Sequence, residues 1–451
     1  MSNTNIEILR LSIPSILASI TIPLVGLVDT AIIGHISDAA AIGGIAIGTM
    51  LFDLLYWNFG FLRVGTSGMT AQACGRQNKT ECAKILSQSL TLAAIGTALI
   101  WLIQWAFVSV VLSLVNCSDE VEVFAREYFF IRIWAAPATL ALMTFRGWFI
   151  GMQDAVSPMV CDITINVVNV ISSYILAIYT PLGPLGVAHG TLIAQYVGLV
   201  LAIGFMLTKY RPYIMEFTHF SHVLRWSELR QLIVLNGNLF IRSLCFMVVY
   251  VGFTSIAGGY GDIELAVSSI IMKLFMLFSY FVDGFAYAGE ALVGKLFGEH
   301  SKNNSSIHIK LNTLLRDLFG WSIGVGVLFT AIYAIGGVDS IAIMTDDSDV
   351  LSASKPYIPW LIAMPLISTL AFMWDGIYVG ATEGRPLRNA MIWSAVGFVI
   401  TYVAFYKLWG IQALYAAYFV HLIARVIYLT IRWKYVVRKS EMESSQVREH
   451  P

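Results

Sequence analysis

Residues 13–35 read IPSILASITIPLVGLVDTAIIGH, an apolar run that holds one carboxylate, Asp29, and two prolines, Pro14 and Pro23. About 20 apolar residues suffice for a helix to cross the hydrocarbon core of a bilayer. The stretch therefore reads as a transmembrane helix with a charge inside it. Comparable runs fill the rest of the chain, near 7–33, 43–72, 85–114, 125–150, 157–179, 186–208, 229–257, 264–294, 309–335, 351–379, 387–408 and 411–431. Numbered in order, they give an all-α integral membrane protein of twelve transmembrane helices. The alternating pattern of a β-barrel is absent.

Composition agrees. The 451 residues are 57% hydrophobic and 12% charged, against roughly 25% charged in soluble domains, and mean hydropathy is +0.74. This excludes a soluble enzyme, a disordered regulator and a protein that holds nucleic acid by a basic field. The five cysteines (Cys74, Cys82, Cys117, Cys161, Cys245) show neither a disulfide framework nor metal-ligand spacing. No basic region or small-residue cleavage site precedes the first apolar run, so that run reads as a retained span. Walker A, GxSxG and HExxH signatures are missing, which argues against an enzyme and against any cofactor.

Charge sets the orientation. With the N-terminus inside, the outer connections 35–42, 116–125, 180–186, 258–264 and 336–350 hold ten acids and no Lys or Arg. The inner segments 73–84, 209–230, 295–310, 383–388 and 432–451 hold seventeen Lys and Arg. This positive-inside asymmetry places both termini in the cytoplasm; the membrane is expected to be the cell's inner (plasma) membrane.

The chain also repeats itself. Gly65, Gly75 and Arg76 recur as Gly284, Gly294 and Lys295, and Gly147-x-x-x-Gly151-x-x-Asp154 recurs as Gly376-x-x-x-Gly380-x-x-Glu383. Two pseudo-symmetric six-helix lobes follow: an N-lobe over 1–208, a cytoplasmic interlobe linker over 209–228, a C-lobe over 229–432 and a cytoplasmic tail over 433–451. Six-helix repeats keep one orientation, the plan of transporters that expose a central site to each side in turn.

Polar groups inside spans are costly and mark function. On helix 1, Ser15, Ser19, Gly26 and Asp29 share one face, and Pro14 and Pro23 remove backbone hydrogen bonds so that the helix can bend. On helix 5, Asp162, Asn166, Asn169 and Ser173 share a face by 4-3-4 spacing, and helix 6 adds Thr191 and Gln195 one turn apart. A carboxylate among amide and hydroxyl oxygens suits a proton or a hard cation such as sodium. The competing readings are neutralisation of Asp29 by Arg63 or Arg146, and structural interhelical bonding by Asn166 and Asn169. In the second half Arg242, Lys273, Asp283, Glu290 and Asp375 read as an internal ion network. Trp57, Phe61, Arg63 and Met69 are candidate cavity-lining residues, with packing as the plainer role for the apolar three.

At these residues the chain resembles a known family. The run from Ile13-Pro14 to Pro23-Leu24-Val25-Gly26-Leu27-Val28-Asp29-Thr30, then Gly60-Phe61-Leu62-Arg63 and Gly65-Thr66-Ser67-Gly68-Met69-Thr70-Ala71-Gln72-Ala73, is similar to the multidrug and toxic compound extrusion (MATE) family. Asp283-Gly284 to Ala291-Leu292-Val293-Gly294 resembles its DinF-like branch. The resemblance implies a monomeric antiporter in the lipid bilayer that exports small-molecule organic substrates, amphipathic and often cationic, in exchange for protons or sodium. By this likeness Asp29 is the coupling aspartate, Asn169 and Thr191 are its partners on helices 5 and 6, and Pro14 is the bending proline. Ser173 stands where the family often has a second aspartate. That weakens a sodium site at Asp29, Asn169 and Thr191 and favours the proton. The family's helix 7 acid is also missing, with Arg242 the ionisable residue inside that helix. The close alternative is a flippase for lipid-linked or polysaccharide intermediates, which would use Arg63, Arg132 and Arg146 on a pyrophosphate.

Overall fold

A computed structural model describes residues 3–36, 39–115, 117–215, 226–302 and 307–449. Among them the regular structure is helical throughout. In lipid every backbone N–H and C=O must bond within its own segment, and a helix does this over each apolar run. In chain order the helices are α1 (Asn3–Ile36), α2 (Ala39–Trp57), α3 (Phe61–Gly75), α4 (Lys79–Leu114), α5 (Asp119–Arg132), α6 (Ala136–Gly151), α7 (Val156–Tyr179), α8 (Gly186–Thr208) and the short α9 (Arg211–Ile214). They continue with α10 (Trp226–Gly258), α11 (Asp262–Lys302), α12 (Ile307–Gly336), α13 (Asp339–Ala342), α14 (Ser348–Ser354), α15 (Ile358–Gly380), α16 (Gly384–Trp409) and α17 (Gln412–Glu449). Polar residues start helices where the chain leaves the apolar runs. Asn78 caps α4 by accepting from the Glu81 N–H, and Asp347 caps α14 by accepting from the Asp349 and Val350 N–H groups.

Eleven stretches among the described residues are long and apolar enough to cross a membrane, from Ala40–Gly75 to Gln412–Ser440. With its 34 residues, α1 supplies the twelfth long segment. The twelve-helix, all-α membrane fold stands.

Three spans expected as single helices are broken. The second divides into α2 and α3 at 58–60, the fourth into α5 and α6 around a 3-10 turn at Ile133–Ala135, and the tenth into α14 and α15 around Lys355–Tyr357. Pro137 and Pro359 sit in the first turns of α6 and α15, where a missing N–H costs nothing but the preceding helix cannot continue. Gly60 serves the first break, and Asn58 Nδ2 bonds the Leu54 carbonyl there at 2.8 Å.

The chain forms two compact units. One comprises Leu17–Ala73 and Gln77–Leu232; the other comprises Met1–Ile16, Cys74–Arg76 and Ile233–Pro451. The first is centred on stacked Phe52 and Phe129, 4.8 Å apart, with Tyr128 and Leu140 buried around them. The second is centred on Phe253, Phe275, Tyr415 and Tyr418.

Each unit packs its fourth span against its second through glycine. A Cβ on Gly147 would lie 2.2 Å from the Arg63 carbonyl oxygen, and one on Gly151 2.7 Å from that of Ser67. In the second unit Gly376 meets the Ala286 carbonyl at 2.3 Å and Gly380 that of Glu290 at 2.5 Å. The packing thus equates Arg63 and Ser67 with Ala286 and Glu290, a helical turn away from the match of Gly65 with Gly284 drawn from sequence. Gly284 instead admits Ser12 and Ile16 of α1.

The ends of these spans repeat as well. Gln153 and Thr382 take left-handed φ values of 63° and 57°. The next N–H reaches back six positions inclusive, Asp154 to Phe149 at 2.9 Å and Glu383 to Tyr378 at 3.0 Å. Each acid then takes a lysine from the end of its unit's last long helix: Asp154 takes Lys209 at 2.7 Å and Glu383 takes Lys439 at 2.6 Å.

Candidate functional site

α1 and α7 meet at two levels. Near the middle of α1, Asn166 Nδ2 donates to Thr21 Oγ1 at 2.5 Å, and the Thr21 hydroxyl in turn donates to the Ala18 carbonyl at 2.7 Å. Two turns further along both helices, Asp29 lies beside the Ser173 hydroxyl. Sequence number rises in the same direction on both, so the helices run parallel here. Asn166 accordingly ties α1 to α7, while Ser173 faces the carboxylate.

α8 completes the cluster. Asn169 Nδ2 donates to Thr191 Oγ1 at 2.9 Å, and Thr191 donates to the Val187 carbonyl at 3.1 Å. Helices α7 and α8 come this close because Gly190 has no side chain: a Cβ there would lie 2.4 Å from Ser173 Oγ. Three oxygens are left buried without a hydrogen-bond partner, Asp29 Oδ1, Asn169 Oδ1 and Ser173 Oγ. Buried polar atoms are normally paired. Unpaired oxygens on three residues of one lobe make a site able to receive a proton or a cation. Gln195 is half-buried one turn beyond Thr191.

The cation acting on Asp29 is Arg132, at the end of α5. Its guanidinium bonds the Tyr128 hydroxyl at 3.1 Å, stands 4.7 Å over the Phe52 ring and also acts on Asp53. From sequence, Arg132 stood only among the cations of the flippase alternative, and Arg63 or Arg146 were the arginines weighed as neutralising Asp29. The signal was present: a mid-span arginine just ahead of the Pro137 break. Arg146 instead pairs with Asp162, which takes that carboxylate out of the helix 5 stripe. Arg63 is half-buried, and its carbonyl packs on Gly147.

The remaining candidates lie outside this cluster or at its margins. Trp57 ends α2 with 37% of its surface exposed. Phe61 and Met69 are half-buried on α3, Phe61 packing 5.9 Å from Phe59. Pro14 is half-buried in the part of α1 that belongs to the second unit, and the side chain of Pro23 falls outside the described residues.

In the second unit Asp375 Oδ2 accepts from Arg242 Nη2 and Arg425 Nη2, each at 2.5 Å. Arg242 and Asp375 are two of the five residues read from sequence as an internal ion network. Arg425 was not anticipated, although a basic residue inside the last apolar run marks it. Lys273 is exposed and Glu290 buried on α11. Among the described residues no three His, Cys, Asp or Glu side chains stand close enough to hold a metal.

The profile of the MatE family matches residues 14–175 and 239–406, once in each half. The chain is 32% identical over 426 residues to DNA damage-inducible protein F of Escherichia coli, covering 94% of this chain and 91% of that one. It is 24% identical over 408 residues to Protein DETOXIFICATION 44, chloroplastic, of Arabidopsis thaliana, covering 87% and 75%. Its fold superimposes on the bent form of the Vibrio cholerae MATE transporter VcmN with a TM-score of 0.86 at 15% identity, covering 98% and 99%.

Proposed function

The chain belongs to the MatE family of membrane transporters, and from that membership we propose that it is a proton-coupled antiporter exporting amphipathic, often cationic organic compounds by alternating access. The observation that carries the reading is Asp29, whose Oδ1 is buried and unpaired beside Ser173, with the free oxygen of Asn169 in the same lobe. An ionised Asp29 attracts a cationic substrate. An entering proton neutralises it and leaves the positive charge of Arg132 opposed by Asp53 alone, which weakens the hold on the substrate. The same guanidinium weighs against a sodium ion held by Asp29, Asn169 and Thr191, which supports the proton as the coupling ion. Of the cations a flippase would turn on a pyrophosphate, Arg146 is paired with Asp162 and Arg132 acts on Asp29, which favours export of organic cations.

The energetics restrict the exchange. One proton in for one monovalent cation out moves no net charge and draws on the pH difference alone, about 1.4 kcal/mol per unit. A neutral or zwitterionic substrate also draws on the membrane potential, about 2.3 kcal/mol per 100 mV. The protein acts as a monomer in the inner (plasma) membrane with both termini cytoplasmic, a placement supported by the distribution of Lys and Arg.

Dye transport by proteoliposomes under separate proton and sodium gradients tests this. Proton-driven transport is expected without sodium, falling roughly tenfold or more in Asp29→Asn, a loss of at least about 1.4 kcal/mol. Full proton-driven transport by Asp29→Asn would sink the assignment.

A further inference from the structure

One cluster of charges in the second unit does not balance. One carboxylate, Asp375, faces two guanidiniums, Arg242 and Arg425, in a cluster inside the spans Arg230–Gly258, Ser348–Gly380 and Gln412–Ser440. Arginine stays charged throughout the physiological range, so the triad carries one surplus positive charge. Each arginine meets Asp375 through a single Nη2, whereas arginine and carboxylate frequently join by two parallel bonds. Arg242 Nε and Arg425 Nη1 are left buried without an acceptor. A charge at this depth is costly and is retained where it has work. One arginine would have sufficed for a structural pair, so the second asks for another anion.

The two arginines are not equivalent. The Arg425 side chain is 2% exposed and that of Arg242 is 21%. Arg425 holds Asp375 from within, with the Phe372 ring 5.9 Å beneath it and Tyr418 buried beside it. Arg242 is the reachable member. An incoming monovalent acid would meet the exposed part of its guanidinium and bring the cluster to neutrality, whereas a dianion would overcharge it.

We infer that Arg242, held by Asp375 and backed by Arg425, binds the acidic group of an amphipathic substrate, a carboxylate or sulfonate on an apolar body, so that zwitterionic and anionic compounds are exported beside cationic ones. This rests on the efflux reading above. An inorganic anion such as chloride has the same charge and is the rival occupant.

A matched dye pair separates these outcomes. Rhodamine 123 is the cationic methyl ester of rhodamine 110, whose free carboxylate makes it zwitterionic. Both are followed in proteoliposomes under one imposed pH gradient. Arg242→Gln leaves Asp375 and Arg425 as a balanced pair, so the fold is retained. The ratio of rhodamine 110 to rhodamine 123 transport is expected to fall roughly tenfold or more, the loss of one charged hydrogen-bond partner. Arg242→Lys should recover part of it. The inference is overturned if the ratio is unchanged in Arg242→Gln, or if wild type carries rhodamine 123 and not rhodamine 110. It is also overturned if replacing chloride by gluconate lowers the thermal stability of wild type but not of Arg242→Gln, since chloride is then the occupant. Failure of both dyes to move in wild type, or full transport by Asp29→Asn, instead defeats the efflux reading.

Discussion

Asp154 accepts from Lys209 Nζ and the Tyr210 hydroxyl at 2.7 Å, from Ser157 Oγ at 2.5 Å, and from the Val156 and Ser157 N–H groups. Burial pushes this carboxyl up from its ordinary 3.8, but the bonds from Lys209, Ser157 and Tyr210 outweigh burial and hold it below that value. A depressed carboxyl stabilises the fold above its unfolded pKa and loses that contribution as pH falls through the folded one. Asp154→Asn should therefore cost roughly 2 kcal/mol at pH 7, read as a fall in Tm. The difference from wild type should narrow only below about pH 4; a gap that closes between pH 6 and 8 would refute this. In the second unit, Asp375→Asn leaves the buried Arg425 and the half-buried Arg242 uncompensated and should cost roughly 3–5 kcal/mol, whereas Arg242→Gln leaves a balanced pair and should cost far less. Thermal melts of the two variants give the order. Asp29, Asn169 and Thr191 were legible in the sequence because each is a polar group in an apolar run at helical spacing. Their neighbours were not. That Arg132 and not Arg146 faces Asp29, and that Arg425 joins Arg242, depends on which faces of distant helices meet, and spacing along one helix carries no such information.

At the scale of the helix, glycine decides how closely the spans approach. Gly147→Ala and Gly376→Ala would press a methyl group to 2.2 and 2.3 Å of a carbonyl oxygen on the neighbouring backbone, which cannot swing away as a side chain can. Each should lose roughly 1–3 kcal/mol, seen as a lower melting temperature in detergent. Gly320→Ala on α12, where nothing stands within 4 Å, should leave stability unchanged or raise it, by up to about 1 kcal/mol. Equal losses at all three positions would show that helix flexibility, not approach, is what these glycines provide. The glycine repeat was readable in the sequence, but its register within the second span was not. Gly284 and Ala288 are both small enough to match Gly65, and only the carbonyls that meet Gly376 and Gly380 choose between them. The breaks in the fourth and tenth spans had a written signal in Pro137 and Pro359. Hydropathy averaged over 20 residues runs smoothly across such a break, which is why single helices were expected there.

For the whole molecule, the segregation of charge makes a prediction that the native cysteines can check. Cys117 lies half-exposed in the connection between α4 and α5, placed outside by the proposed orientation, whereas Cys74, Cys82, Cys161 and Cys245 lie in helices. A membrane-impermeant maleimide applied to intact cells should label wild type, and Cys117→Ser should abolish the signal. Labelling that requires broken membranes would invert the topology. The number of spans was legible because lipid imposes one length and one backbone solution on every crossing. The division of α1 was hidden, since no break in its apolar run marks where it passes from one unit to the other. Its residues up to Ile16 belong with Ile233–Pro451, and the Asn5 side chain accepts from Trp321 Nε1 at 2.8 Å, across 316 residues of chain. Ribosomes add about 5–20 residues per second, so Asn5 waits on the order of tens of seconds after its own synthesis before Trp321 exists. The part of the protein made first is thus among the last to be completed, and the nascent N-terminal segment must stay inserted and unaggregated while the second half is still being translated.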